Sequence, residues 1–257
     1  MGGSASRSSV QAVTFDFWDT IVAVTGEVEG GGDGAHVRRH QIDRFATTIA
    51  EAGRRVPAAD LDEAFEANWA RFEERWVANT GQYTPAESVE FIADRLGITI
   101  DRALRDRLIA GFHRAGEQVP LQVGAGLVEA LDTLRSAGIR LGIVCDVGLT
   151  PSPILRARLD ELGLLRSFDA WAFSDESGWF KPAEGAFVPA LEGLGADDPT
   201  RVAHIGDNRR TDVAGALALG MVAVRFTGFH DRSPDAGPEA HHVIDDHRKL
   251  PGLLGVG

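Results

Sequence analysis

Val13-Thr14-Phe15-Asp16-Phe17-Trp18-Asp19-Thr20-Ile21 decides how the remainder of the chain is read. Val, Thr and Phe suit a buried strand, and the pattern predicts one over 12–16. The strand ends in a bare carboxylate, at the end where open α/β sheets place ligands. A carboxylate there can serve as a nucleophile, as a ligand for a hard metal ion, or as both. It can equally cap a helix or form a turn, and the stretch by itself does not choose.

Outward from this stretch the texture changes. Residues 1–10 are Ser- and Gly-rich and read as a flexible leader, although Met1-Gly2-Gly3-Ser4-Ala5-Ser6 also fits a myristoylation pattern. Residues 27–34 carry no apolar face and read as a mobile loop. Helices are expected over 36–52, 59–78, 86–96 and 101–117. Phe65, Trp69, Phe72 and Trp76 recur at helical spacing and form one apolar stripe, the core of this block. From 124 strands and helices alternate. Helix 126–137 closes at Gly138, strand 139–144 runs into Cys145-Asp146, and helix 153–162 closes at Gly163. Strand 170–174 follows, then a helix after Lys181-Pro182 that Pro189 breaks or kinks. Strand 201–205, helix 211–219, strand 221–225 and a short strand near 242–244 complete the run.

Such alternation implies a parallel sheet with right-handed crossovers. Asp16 can share a sheet edge with the later loops only if the helical block is an insertion. The expected organisation is therefore α/β: a Rossmann-like parallel sheet core formed by 11–24 and 121–257, with an all-helical cap domain, 25–120, inserted after the first strand.

Composition narrows the partners. At 257 residues, 44% apolar and 25% charged, the chain can bury a core without disulfides. Its single cysteine, Cys145, excludes an internal disulfide and fits a reducing compartment. A net charge of −12 disfavours nucleic acid and anionic membrane as partners. It does not exclude an anionic substrate, because a metal ion can invert the local field. With no spanning or secretory segment in the sequence, the expectation is a cytoplasmic protein, monomer or homodimer.

Several chemistry-bearing residues gather at the sheet edge. Asp16 comes from the first strand, Cys145 and Asp146 from the next, and Asp207 and Asp212 from one later loop. Two carboxylates on one loop plus Asp16 suit an oxygen-rich Mg²⁺ site. Lys181 stands at the expected start of a helix, where a cation opposes the macrodipole. An anionic substrate, or Asp16 itself, would explain it.

With these residues in place the chain resembles the haloacid dehalogenase superfamily of hydrolases. The resemblance rests on four motifs in order: Asp16-Phe17-Trp18-Asp19-Thr20, Ile143-Val144-Cys145-Asp146, Lys181-Pro182, and Gly206-Asp207-Asn208-Arg209-Arg210-Thr211-Asp212. It spans nearly the whole chain after the leader, with the helical block as that family's cap. It implies that Asp16 is a nucleophile forming an aspartyl phosphate. Mg²⁺ would be held by Asp16, the Trp18 carbonyl oxygen, Asp207 and, directly or through water, Asp212. Lys181 would neutralise charge on Asp16 and the phosphoryl oxygens, and N–H groups after Asp16 would cradle the phosphoryl group. Thr20, Asp19, Cys145 and Asp146 would line that site, and His36, Arg39 and Trp76 are possible cap contacts.

Two departures from the family pattern matter. Its phosphatases carry a second Asp two residues after the nucleophile as general acid and base, and here that position is Trp18. Cys145 stands where a better hydrogen-bond donor, Ser or Thr, is usual. Asp19, Asp146, His36 and His40 are candidates for the missing acid. Arg38, Arg39, Arg71 and Arg75 either clamp a second anionic group or form a solvated face. The first expectation is a Mg²⁺-dependent phosphatase acting on a small phosphorylated metabolite. A metal-independent 2-haloacid dehalogenase is the alternative, favoured by Trp18 and opposed by Asp207. A degenerate member that binds a ligand or partner without turnover is the third.

Overall fold

The computed structural model describes residues 10–25, 35–231 and 237–256. The expected leader up to residue 9 and the loop at 27–34 lie outside them, as does the His36 side chain. The chain divides into two compact units. One comprises Met1–Ala23, Leu121–Asp146 and Leu159–Gly257, and the other Val24–Pro120 and Val147–Arg158.

The first unit carries a six-stranded sheet in the order β5-β4-β1-β6-β7-β8. Its strands are β1 (Ala12–Phe15), β4 (Arg140–Cys145), β5 (Ala170–Phe173), β6 (Val202–Gly206), β7 (Val222–Phe226) and β8 (His242–Ile244), and every pairing is parallel. The expected α/β Rossmann-like sheet is present. β1 lies centrally, with Phe15 opposite Ile143 on one side and Ile205 on the other. Its buried run explains why Val, Thr and Phe suffice there without polar alternation. The chain builds outward from β1 to β4 and β5, then resumes on the other side with β6. The order therefore reverses between β1 and β6, and Asp16 and Asp207 follow directly from those two strands. Ligand sites in such sheets form at that switch point.

The helix α5 (Leu127–Ser136) shows how the sheet is covered. Leu127, Ala130, Leu131 and Leu134 are buried at a helical spacing, and Gly138 supplies the left-handed residue (φ 81°) that ends the element. Val10, expected in the leader, is instead buried. Two elements depart more clearly from the sequence reading. The helix expected after Lys181-Pro182 is a turn, a 3₁₀ segment Glu184–Ala186 and the short α8 (Val188–Gly193), with Pro189 in its first turn. The helix expected over 211–219 is a π-helical turn, Arg209–Val213, continuing into α9 (Ala214–Ala218). The short strands β2 (Val22–Val24) and β3 (Leu121–Val123) pair with each other; three-residue elements leave no periodicity to read.

The second unit is helical: α1 (Ala35–Glu51), α2 (Ala58–Ala78), α3 (Pro85–Arg95) and α4 (Arg102–Glu117), with most of α6 (Ser152–Glu161). Phe45, Phe65 and Phe112 meet at its centre, with Phe65 at 5.6 Å from Phe45 and 5.7 Å from Phe112. Thr84 and Glu87 form a reciprocal capping box at the start of α3, preceding Pro85. No helix of the described residues is long and apolar enough to cross a membrane.

Candidate active site

The strand ends bring four of the expected residues into one cluster. Asp16, Asp207 and Asp212 are buried, and one carboxylate oxygen from each lies within 4.8 Å of the others. The Lys181 ammonium donates to Asp16 Oδ1 at 2.5 Å, to Asp212 Oδ1 at 2.6 Å and to the Val144 carbonyl at 3.2 Å. All three of its N–H groups are therefore committed, which fixes a side chain that is only 2% exposed. Lys181 sits in a turn, not in the first turn of a helix, so it opposes no macrodipole. Its placement follows from the two carboxylates. Asp146 contributes from below by accepting the Lys181 backbone N–H at 3.0 Å.

Asp212 is saturated. Its Oδ1 receives Lys181 and His204 Nε2 (3.0 Å), and its Oδ2 receives the Asn208 N–H and the Thr211 hydroxyl, both at 3.2 Å. The π-helical turn produces this arrangement. Asn208 accepts from the N–H groups of Arg210 and Thr211 and winds the backbone so that Asp212 folds back towards β6. Gly206 is required by the same approach, since a Cβ there would lie 2.2 Å from Asp212 Cγ.

Electrostatics separate the two carboxylates that share Lys181. Burial raises the Asp16 pKa, Lys181 opposes the rise and Asp212 reinforces it, leaving it at about 7. Burial also works to raise Asp212, but Lys181 and the His204 hydrogen bond outweigh it and hold that carboxyl far below its usual range. Burial likewise would lower Lys181, yet Asp16 and Asp212 keep it well above the ordinary ammonium value. Cys145, buried at the end of β4, is pushed well up by burial and by Asp16, so it stands as a neutral thiol.

The loop after Asp16 is tightly turned. Asp19 adopts a left-handed conformation (φ 55°), and the N–H groups of Asp19, Ile21 and Val22 bond within the loop to the carbonyls of Val22 and Phe17. Those three are not available to cradle a ligand. The Asp19 carboxylate faces the His230 ring at 3.8 Å. Trp18 is half-buried, edge-on to Phe17 at 4.8 Å. The Thr20 hydroxyl is sealed from solvent and has no hydrogen-bond partner among the described residues, while the Thr20 carbonyl accepts from His247 Nε2 at 3.0 Å. Burial holds the His247 imidazole near 4, against a smaller opposing pull from the Thr20 carbonyl.

The remaining candidates belong to the helical unit. Arg38 pairs with Glu66 and lies over the Trp69 ring, Arg71 lies over Phe91, and Arg75 pairs with Glu87 over Tyr83. These guanidiniums have partners within their own unit. Arg39 is exposed, Trp76 is half-buried and stacks on Phe72, and His40 lines a groove with Asp43, Arg44 and Arg107. His204 and His247 were not legible as site residues. The one signal for His204 was a titratable side chain inside the apolar run Val202-Ala203-His204-Ile205.

At the switch point of its parallel sheet the chain gathers three buried carboxylates, two of them on Lys181. The chain belongs to the haloacid dehalogenase-like hydrolases, whose family model matches residues 10–220. Among relatives it is 25% identical to haloacid dehalogenase-like hydrolase domain-containing protein 3 of Homo sapiens, over 97% of this chain and 96% of that one. It is 31% identical to phosphoserine phosphatase of Thermus thermophilus, covering 68% of this chain and 69% of that protein. The same fold occurs in a 2-haloacid dehalogenase from Pseudomonas syringae, with a TM-score of 0.67 at 20% identity, covering 95% of this chain and 98% of that one.

Proposed function

We propose that this hydrolase is a Mg²⁺-dependent phosphatase acting on a small phosphorylated metabolite, with Asp16 as nucleophile. The observation that carries the reading is the third carboxylate, Asp207. Three buried carboxylates stand together with one ammonium, so the cluster carries negative charge in excess whenever Asp16 is ionised, and a divalent cation would cancel it. The donor set is all oxygen, which matches a hard ion. Asp16, Asp207 and the Trp18 carbonyl would hold it directly. Asp212, with its lone pairs taken by four donors, would act on it through water. Bound there, the cation would supply charge neutralisation for a phosphoryl group brought to Asp16. The phosphatase relatives support the same reading.

The chain's own residues then do the following. Asp16 attacks phosphorus, forming the Asp16–phosphorus bond as the bond to the leaving oxygen breaks. Lys181, held by Asp212, stays charged and stabilises the equatorial oxygens. Water then attacks the aspartyl phosphate, releasing phosphate and regenerating Asp16. Trp18 donates no proton to the leaving group, a contribution usually worth about 10²–10⁴-fold. Aryl phosphates should therefore turn over faster than alkyl phosphates, and Trp18→Asp should raise alkyl-ester turnover by about 10-fold or more. Equal rates on both ester types would mean that another group has taken the role.

Trp18 also supports a second reading, a metal-independent 2-haloacid dehalogenase, in which the carboxylate attacks carbon. Release of phosphate from an aryl phosphate, with and without Mg²⁺ and beside Asp16→Asn, separates the two. Metal-dependent release abolished by the substitution is expected. Chloride release from a 2-chloroalkanoate, without phosphate release, would overturn it.

A further inference from the structure

His204 lies in the middle of β6 and is 1% exposed, directly opposite Thr14 in the register of β1. A buried imidazole is costly unless both ring nitrogens find partners. Here both do: Nε2 stands 3.0 Å from Asp212 Oδ1, and Nδ1 stands 2.9 Å from the Thr14 hydroxyl. The partners fix the proton. Lys181, the Asn208 N–H and the Thr211 hydroxyl all donate to Asp212, which is thus an acceptor on both oxygens, so the ring proton sits on Nε2. Nδ1 is then a lone pair, and the Thr14 hydroxyl must donate to it. The alternative acceptor for that hydroxyl, the Ala203 carbonyl, is further away at 3.5 Å. Phe187 closes one side of the ring, edge-on at 5.1 Å.

Thr14 lies in β1 and Asp16 directly follows it, its N–H still paired to the Ile205 carbonyl, so the two project to the same face. Two arms leave β1 and meet at a single oxygen. Asp16 reaches Asp212 Oδ1 through Lys181, and Thr14 reaches it through His204. The Asn208 N–H and the Thr211 hydroxyl hold Oδ2, while on Oδ1 His204 is the second donor beside Lys181. Without it, the direction in which Oδ1 meets the ammonium is set by Lys181 alone.

We propose that His204, locked in its Nε2–H form by the Thr14 hydroxyl, is a positioning residue that sets the Asp212 carboxylate and through it the Lys181 ammonium against Asp16. The catalytic part of this inference rests on the reading of Asp16 and Lys181 as the reacting pair. Ligand-orienting contacts of this kind are usually worth about 10–100-fold in activity or metal affinity.

The test uses the full chain and four variants: His204→Leu, His204→Gln, Thr14→Val and Thr14→Ser. His204→Leu should lower kcat on an aryl phosphate by about 10–100-fold with KM little changed. His204→Gln offers a donor and an acceptor in similar places and should recover most of the loss. Thr14→Val should cost less than His204→Leu, and Thr14→Ser should restore it. Independently of turnover, ¹⁵N NMR of the metal-free wild type should show a protonated Nε2 and an unprotonated Nδ1 at His204. In Thr14→Val the Nδ1 resonance should shift as its donor is lost. A proton on Nδ1 in the wild type would overturn the proposal, even if His204→Leu failed to fold. So would a His204→Gln variant as impaired as His204→Leu, or a His204→Leu variant of unchanged kcat. A wild type inactive on phosphates with the tautomer as stated would count against the phosphatase and for the hydrogen-bond chain.

Discussion

The two units bury different chemistry. The helical unit fills its centre with Phe45, Phe65, Val89, Ile92, Leu108 and Phe112, and the Asn68–Tyr83 hydrogen bond (2.8 Å) is a local exception. Its charges sit outside, in pairs such as Arg95–Glu63 and Arg105–Glu90. The α/β unit instead buries Asp16, Lys181, His204, Asp207 and Asp212 among strands whose flanks are apolar. Isolated ionic groups in such a place destabilise, whereas a set in which every lone pair and N–H is answered can persist. One unit thus invests its interior in stability, and the other gives part of it to chemistry. Substitutions should divide along that line.

The sharpest separation comes from Asp16→Asn. Turnover should fall by about 10⁴-fold or more, because Asp212, the other carboxylate on Lys181, has its lone pairs taken by four donors. Stability should change by less than about 1 kcal/mol, or improve, since the amide removes a charge that burial and Asp212 both oppose. Urea melts beside the phosphate-release assay read both quantities. A large loss of stability would mean that the cluster is structural, and would dissolve the contrast.

Phe65→Ala tests the other half. Phe65 is 1% exposed between two aromatic rings, and deleting such a side chain typically costs about 3–5 kcal/mol. The measurement is the unfolding midpoint. A cost below about 1 kcal/mol would show that the helical centre is loosely packed and that its apolar stripe serves something other than stability.

This division also explains what could be read in advance. The α/β sheet was legible because β1, β4, β5 and β6 carry largely apolar runs that stop at an acid or a small polar residue, as at Phe15-Asp16 and Gly206-Asp207. The catalytic candidates were legible because their positions at strand ends are set by topology. The helical stripe Phe65, Trp69, Phe72 and Trp76 was legible in its period, but not in its burial: Phe65 and Phe72 are buried, while both tryptophans are half-exposed. What failed depended on partners distant in sequence. The turn holding Lys181 is set by Asp146, thirty-five residues earlier. The π-turn is the exception, set locally by Asn208 and by the approach of Asp212 to Gly206. His204 and His247 acquire roles only once β1 lies beside β6 and the C-terminal segment reaches the Thr20 carbonyl. Neither has a local signature.

The smallest effect distinguishes two buried groups that oppose each other. His247 is held near 4 in the fold, stacked on Phe226 at 4.1 Å, and titrates near 6.5 when unfolded. Between those values the unfolded chain takes a proton that the fold refuses. Its contribution is complete above pH 6.5 and is lost as pH falls towards 4, by roughly 3 kcal/mol. His204, also lowered by burial, adds in the same direction. Asp16 runs the other way. Its carboxyl is raised to about 7 in the fold, from 3.8, so the fold holds the proton and stability is lost as pH rises from about 4 to 7. In the cation-free wild type the two partly cancel. Asp16→Asn leaves the histidines alone, and its stability should rise between pH 4 and 6.5. His247→Gln, which keeps a donor for the Thr20 carbonyl, leaves Asp16 prominent, and its curve should tilt the opposite way relative to Asp16→Asn. Denaturation midpoints at pH 4.5 and 7 for the three proteins decide it. Parallel curves would mean that these groups are solvated, and that the α/β unit hides no more charge than the helical one.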